Sequence, residues 1–158
     1  MKKVAKEIER KFLVHPRKWS DLGPGLEIRQ GYLSASKQCS VRVRTYGDKA
    51  FVAIKGSTKD ITRDEYEYEI PPNDANEMLA NLCEHPPIEK TRYRIVFKGH
   101  TWEVDEYGGA NSGLTVVEVE LKDPKEHVEL PDWVDREISG DERYFNSNLS
   151  IKPFSTWK

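Results

Sequence analysis

Carboxylates spaced two apart recur along this chain as Glu7/Glu9, Glu65/Glu67 and Glu118/Glu120, and Asp105 stands alone between the last two pairs. Basic residues recur in the same way, as Lys11, Arg42/Arg44, Lys55 and Lys90/Arg92. A two-residue spacing puts side chains on one face of a β-strand, so each pair can converge on a common ligand. Clustered carboxylate oxygens suit hard divalent cations such as Mg²⁺ or Mn²⁺ rather than zinc. Forked guanidinium donors and ammonium groups match phosphate oxygens. Seven carboxylates against six cations leave one negative charge, which two divalent ions would turn into three positive ones. Together these side chains could hold a polyphosphate bridged by metal. The competing account of the same residues is an internal network of salt bridges with no ligand.

The elements that carry these residues read as strands. In Glu7–Val14 the charged Glu7, Glu9 and Lys11 alternate with Ile8, Arg10 and Phe12; taken alone, the segment is the solvated face of an antiparallel sheet. The pattern repeats in seven strands, with Val, Ile, Phe, Tyr or Trp opposite the charges. Those apolar faces must be buried to drive folding. One convincing helix is available to cover them, Asp74–Cys83, with Ala75, Met78, Leu79 and Leu82 at helical spacing and Asn73 or Asp74 as N-cap. Shorter helices or turns are expected at His15–Leu22, Pro124–Leu130 and Asp141–Phe145. So little helix cannot cover an open sheet whose charged side faces water. A sheet curled into a barrel, with charges lining a wet lumen and apolar faces turned out under the helices and the tail from Asp123, meets both demands. The expected class is therefore mainly β with peripheral helices.

A chain of 158 residues without a linker or repeat reads as one domain, 1–158. Its 25 Lys and Arg nearly balance 27 Asp and Glu, so no global field favours nucleic acid or an acidic membrane as partner. No stretch approaches the ~20 apolar residues of a membrane span, and no signal-peptide pattern opens the chain. Cys39 and Cys83 lie in no metal-type spacing, which points to a reducing cytoplasm. His15, His85, His100 and His127 read as surface residues, and Trp19, Trp102, Trp133 and Trp157 as outer-core packing. Glu69, Arg94 and Glu103 share phase with the charged pairs but are expected at a rim. Tyr32, by type alone, is ordinary strand filler.

The ordered set Glu7-Ile-Glu-Arg-Lys11, Arg42-x-Arg44, Lys55, Glu65-x-Glu67, Lys90-x-Arg92, Asp105 and Glu118-x-Glu120 resembles the CYTH superfamily of triphosphate tunnel metalloenzymes, from residue 7 to about residue 145. The resemblance implies a closed eight-stranded antiparallel β-barrel forming a charged tunnel. Within the family, Arg29-Gln-Gly-Tyr-Leu33, Glu89-Lys-Thr-Arg-Tyr93 and Asp141-Glu-Arg-Tyr144 resemble the short bacterial tripolyphosphatases. That likeness implies metal-dependent hydrolysis of inorganic tripolyphosphate. Lys11, Arg42, Arg44, Lys55, Lys90 and Arg92 would bind phosphate. Glu7, Glu9, Glu118 and Glu120, with Asp105 nearby, would hold one or two Mg²⁺ or Mn²⁺. Glu65 or Glu67 would orient the attacking water, and Tyr32 becomes a candidate general base. The same fold also serves class IV adenylyl cyclases and thiamine or nucleoside triphosphatases, and a non-catalytic polyphosphate-binding module stands as a further alternative. The expected partner is a small triphosphate, and the expected assembly a monomer or homodimer.

Overall fold

The computed structural model describes residues 5–157; residues 1–4 and 158, included in the domain expected from sequence, lie outside them. Strands β1 (Ala5–Val14), β2 (Leu26–Ala35), β3 (Cys39–Tyr46), β4 (Lys49–Gly56), β5 (Thr62–Ile70), β6 (Ile88–Phe97), β7 (His100–Tyr107) and β8 (Thr115–Glu120) form an antiparallel sheet. Its order is β5-β4-β3-β2-β6-β7-β8-β1, and a further pairing of β1 with β5 closes it into a barrel. Closure rests on the register Ala5↔Glu65 to Ile8↔Thr62. Beyond Ile8 the path of β1 leaves β5, and a ninth strand, β9 (Val134–Glu137), takes that edge at Phe12 and Val14. This ninth strand was not read from sequence. Its side chains Val-Asp-Arg-Glu give no alternation of apolar and polar residues.

The apolar faces turn outward. Phe12, Trp102, Val104, Val117 and Val119 are buried on the outer side of β1, β7 and β8, where Trp19, Val128 and Trp133 cover them. Trp133 packs edge-on to both Trp19 and Trp102, with ring centroids 5.4 and 5.9 Å apart. On the far wall α1 (Pro72–Asn81) lays Ala75, Met78 and Leu79 over Val43, Ala50 and Val52. It begins two residues earlier than the sequence suggests. Pro72 takes the first helical position, where a missing N–H costs nothing, and neither Asn73 nor Asp74 caps it. Just past α1, Cys83 lies so close to β2 that a Cβ at Gly31 would stand 2.4 Å from its Sγ.

The tail departs most from expectation. Pro124–Leu130 is a turn followed by irregular chain: Asp123 and Glu126 accept from the backbone N–H groups of Lys125 and Lys122 as at a helix N-terminus, but after the one turn closed by Glu126 N–H on Asp123 O the chain leaves to bury Val128 in the outer core. The segment around Asp141 forms a 3₁₀ turn at Glu142–Tyr144, and the chain continues into α2 (Asn146–Ile151). This part does not wrap the outside. Ile138, Tyr144 and Leu149 pack with Ile88, Tyr107 and Val116, which stand in phase with the lumen charges of β6, β7 and β8. The tail thus fills the end of the barrel where β6 begins and β7 ends. Among the described residues no helix is long and apolar enough to cross a membrane. Leu149 is fully buried in this plug, so Leu149→Ala should lower stability by about 2–5 kcal/mol, read from the midpoint of denaturant unfolding.

Candidate active site

The barrel encloses a cavity of about 850 Å³. Thirteen of the residues singled out in the sequence line it: Glu7, Glu9, Lys11, Tyr32, Arg42, Arg44, Lys55, Glu65, Glu67, Lys90, Arg92, Glu118 and Glu120. Asp105 is the exception. It sits 1% exposed and off the lining, with Lys90 Nζ at 2.8 Å and Arg92 Nε and Nη2 at 2.7 and 2.9 Å.

Strand order sorts the charges. Around the barrel, β7, β8, β1 and β5 are neighbours and carry all nine lumen-phase carboxylates named so far: Glu103, Asp105, Glu118, Glu120, Glu7, Glu9, Glu65, Glu67 and the exposed Glu69. The other arc, β4, β3, β2 and β6, carries Lys55, Arg42, Arg44, Lys90, Arg92 and Arg94, with Tyr32 in its midst. Among the described residues, Lys6, Lys11 and Arg63 are the lysines and arginines of the acidic arc that line the cavity.

Where the arcs meet, they pair. Arg42 and Arg44 donate to one oxygen of Glu67 at 3.3 and 3.4 Å, and Arg92 and Arg94 both reach Glu103. Lys55 Nζ lies 2.7 Å from Glu7 and 3.0 Å from Glu65. Lys11 lies 3.4 Å from Glu118. In the middle of the acidic arc pairing runs out. Glu9 stands directly opposite Glu120 across β1 and β8, and neither carries an ion pair within 4 Å among the described residues. Like charges facing each other across strands repel.

The protonation equilibria follow this layout. Burial drives the Glu9 carboxyl well above its ordinary range, and the charges of Glu118 and Glu7 add to that. Burial and Glu7 likewise raise Glu120. At Glu7 burial pushes upward too, but Lys55, a hydrogen bond with Glu65 and Arg63 outweigh it and hold the group well below the carboxylate range. Burial raises Glu65, helped by the shared hydrogen bond. At Glu118 the upward push of burial loses to Lys11, Arg92 and Lys90. The Tyr32 phenol is raised by burial despite Arg42, Arg63 and Lys11. Burial lowers Lys90 to about 8, against the pull of Asp105.

Several lining groups were missed or misplaced in the sequence. Arg63 is in phase with Glu65 and lies 3.7 Å from Glu7, a signal that phase alone could have supplied. Glu103, expected at a rim, lines the cavity, as does the more exposed Arg94. His100, read as surface, faces the cavity and bonds Glu126. Ser139, Phe145, Asn146 and Ser147 come from the tail plug, and no local pattern marks them. Among the described residues no three His, Cys, Asp or Glu side chains converge tightly enough to make a ready-formed metal cage.

A closed antiparallel barrel with an acidic and a basic arc facing one lumen defines a protein built to hold an anion and a cation side by side. The CYTH domain family model matches residues 5–148, and the chain belongs to that family. It is 49% identical over 155 residues to the inorganic triphosphatase of Acetivibrio thermocellus, covering 98% of this chain and 99% of that protein. The crystal structure of the inorganic triphosphatase NE1496 superposes with a TM-score of 0.63 at 34% identity, over 92% of this chain and 95% of that one. A putative adenylate cyclase from Bacillus halodurans, at 15% identity, a TM-score of 0.62 and coverage of 77% and 83%, shares the fold.

Since Glu9 has a raised carboxyl, its charge at neutral pH opposes folding, and that cost fades as pH falls through the raised value. Glu9→Gln should therefore raise the thermal midpoint in chelator at pH 7 by about 2–4 °C, for a gain near ~1 kcal/mol. The difference should shrink in acid, as scanning calorimetry would show.

Proposed function

We propose that this protein hydrolyses inorganic tripolyphosphate to pyrophosphate and orthophosphate, using Mg²⁺ or Mn²⁺, inside the barrel. The observation that carries this reading is on the basic arc. Arg42 and Arg44 line the cavity, yet the Nε of each is buried without a hydrogen-bond partner among the described residues. A buried donor left unmade costs about 1–3 kcal/mol. Phosphate oxygens in the lumen would draw the two guanidinium groups off the single Glu67 oxygen they share, and that shift would bring the Nε donors within reach as well. The family likeness and the 49% identity to an inorganic triphosphatase support the same substrate class.

The acidic arc fits a divalent cation for a matching reason. Glu9 and Glu120 oppose each other with no ion pair among the described residues, and all their donors are carboxylate oxygens, as a hard cation requires. Glu7 and Glu118 adjoin them and would complete the set. A bound ion there would withdraw charge from the phosphoryl oxygens.

The remaining roles belong to the chain's own groups. Lys11, Arg42, Arg44, Lys55, Lys90 and Arg92 would align the phosphates, which matters more for phosphoryl transfer than covalent chemistry does. Lys55 is held between Glu7 and Glu65 in the free protein, so substrate would draw it off the acidic arc. Glu65, whose carboxyl burial and the hydrogen bond with Glu7 raise, is a stronger base than an ordinary carboxylate and would take a proton from the attacking water once that bond is released. Tyr32 keeps its proton at neutral pH and would donate a hydrogen bond rather than act as base. Glu67 would hold Arg42 and Arg44 in register. With Cys39 and Cys83 both free, we place the activity in the cytoplasm, in a monomer or homodimer.

Two measurements test this. Orthophosphate release from tripolyphosphate should be fast with Mg²⁺ or Mn²⁺, abolished by chelator, and slower from ATP or thiamine triphosphate, with no cyclic AMP formed from ATP. Cyclic AMP without phosphate release would move the protein to the cyclases, and metal-independent binding without turnover would leave a polyphosphate-binding module. In addition, kcat/KM should fall as pH rises past about 8, where Lys90 loses its proton and with it one grip on phosphate. Lys90→Arg, which stays charged, should remove that fall from the pH profile.

A further inference from the structure

The sequence pattern groups Asp105 with the metal-binding carboxylates. Its surroundings give it a different role. Of the four lone-pair positions on a carboxylate, three are taken: Oδ1 accepts Arg92 Nε at 2.7 Å, while Oδ2 accepts Lys90 Nζ at 2.8 Å and Arg92 Nη2 at 2.9 Å. Arg92 stands directly opposite Asp105 across β6 and β7, so the fork is set by register. Both cations line the cavity and Asp105 does not. A divalent ion would have to approach to about 2.0–2.6 Å through two positive groups already in contact with the oxygens. Glu9 and Glu120 offer no such obstacle.

We infer that Asp105 is a positioning residue for the phosphate grip: it binds no metal, but fixes Lys90 and Arg92 side by side, so that the Nη1 edge of Arg92 and the Lys90 ammonium are held for the substrate. The inference rests on the proposed phosphate-binding role of these two cations. Taking Arg92 by Nε and Nη2 leaves Nη1 on the side of Glu103, at 3.4 Å, toward the lumen. Two buried cations two residues apart on one strand would otherwise repel, and burial already lowers Lys90; Asp105 opposes that lowering. The other side of Lys90 rests over the Tyr107 ring at 5.5 Å, and the Tyr107 hydroxyl donates to Asn146 Oδ1 at 2.6 Å, so the tail plug backs the same pair.

Asp105→Asn keeps the shape and removes the charge. The variant should raise KM for tripolyphosphate at least tenfold, leave the Mn²⁺ affinity measured by calorimetry on the substrate-free protein within twofold of wild type, and move the alkaline fall of kcat/KM to lower pH. In a Lys90→Met background the same change should raise KM by a smaller factor, since one of its two clients is gone. A loss of Mn²⁺ affinity as large as the rise in KM would make Asp105 a metal ligand and overturn the inference, and so would an unchanged KM. Should Asp105→Asn fail to fold, Lys90→Met/Asp105→Asn compared with Lys90→Met decides by the same two readouts, and if neither folds, Asp105→Glu, which keeps the charge but displaces it, decides in the same way. If the wild-type protein released no phosphate, the functional reading would fall, while calorimetric binding of tripolyphosphate to wild type and variant would still test the positioning role.

Discussion

Everything in this molecule depends on keeping a crowd of charges inside a closed sheet. Desolvating a charge costs several kcal/mol unless a partner or an ion compensates it. The barrel meets that demand mostly with its own charges, by setting acidic strands beside basic ones at two seams, β4/β5 and β6/β7. Closure of β1 on β5 then completes the acidic arc and brings Glu7 within reach of Lys55. What the seams cannot neutralise is left in the middle of each arc. On one side that is Glu9 facing Glu120; on the other it is the unmade Nε donors of Arg42 and Arg44. The two deficits have opposite sign, and the side chains that carry them line one lumen.

The same constraint explains the outside. With charges within, most apolar residues must point outward, and the barrel interior supplies little hydrophobic contact to stabilise it. Stability has to come from what is laid on top: α1 over β3 and β4, the Trp19–Trp133–Trp102 stack over β7 and β8, and the tail. At the plug Ile88, Tyr107 and Val116 enter the lumen phase under Leu149, while Ile28, Phe51 and Ala53 do so elsewhere, opposite Lys90, Arg44 and Arg42. The plug seals with hydrophobic contact the end at which no charged pair is needed, and it contributes Asn146 and Ser147 to the cavity wall.

Much of this was legible because a two-residue period is unambiguous. Glu7, Arg42, Lys90 and Glu118 announce their face by their neighbours two positions away, and too little helix to cover an open sheet made closure the consistent solution. Phase, however, says only that a side chain points inward; it does not say what stands opposite. The segregation into arcs follows from strand order, in which β1 lies between β8 and β5, and no local pattern encodes that order. Asp105 shows the consequence. It shares phase and type with the carboxylates of the acidic arc, yet it sits on the seam, where β7 meets β6, and its partners are fixed by cross-strand register. The tail was the least legible part because its contacts are all non-local: Val134–Glu137 becomes a strand only because β1 has a vacant edge.

On the proposed reading, a lumen divided in this way would couple its two ligands through two side chains, Lys55 and Lys11. Lys55 now bridges Glu7 and Glu65, and Lys11 leans on Glu118, so cations that would grip phosphate also mask carboxylates that would hold metal. An anion arriving alone must pull these lysines away and leave the acidic arc more exposed to its own repulsion. A cation arriving alone must displace them toward a basic arc that already lacks acceptors. When both arrive, each removes the cost the other creates, since the lysines turn to phosphate as the carboxylates turn to metal. Coupling of this kind is reciprocal by thermodynamic necessity. On that reading the salt bridges of the free barrel are the resting form of the site, and they would favour a metal–polyphosphate complex over either ion by itself.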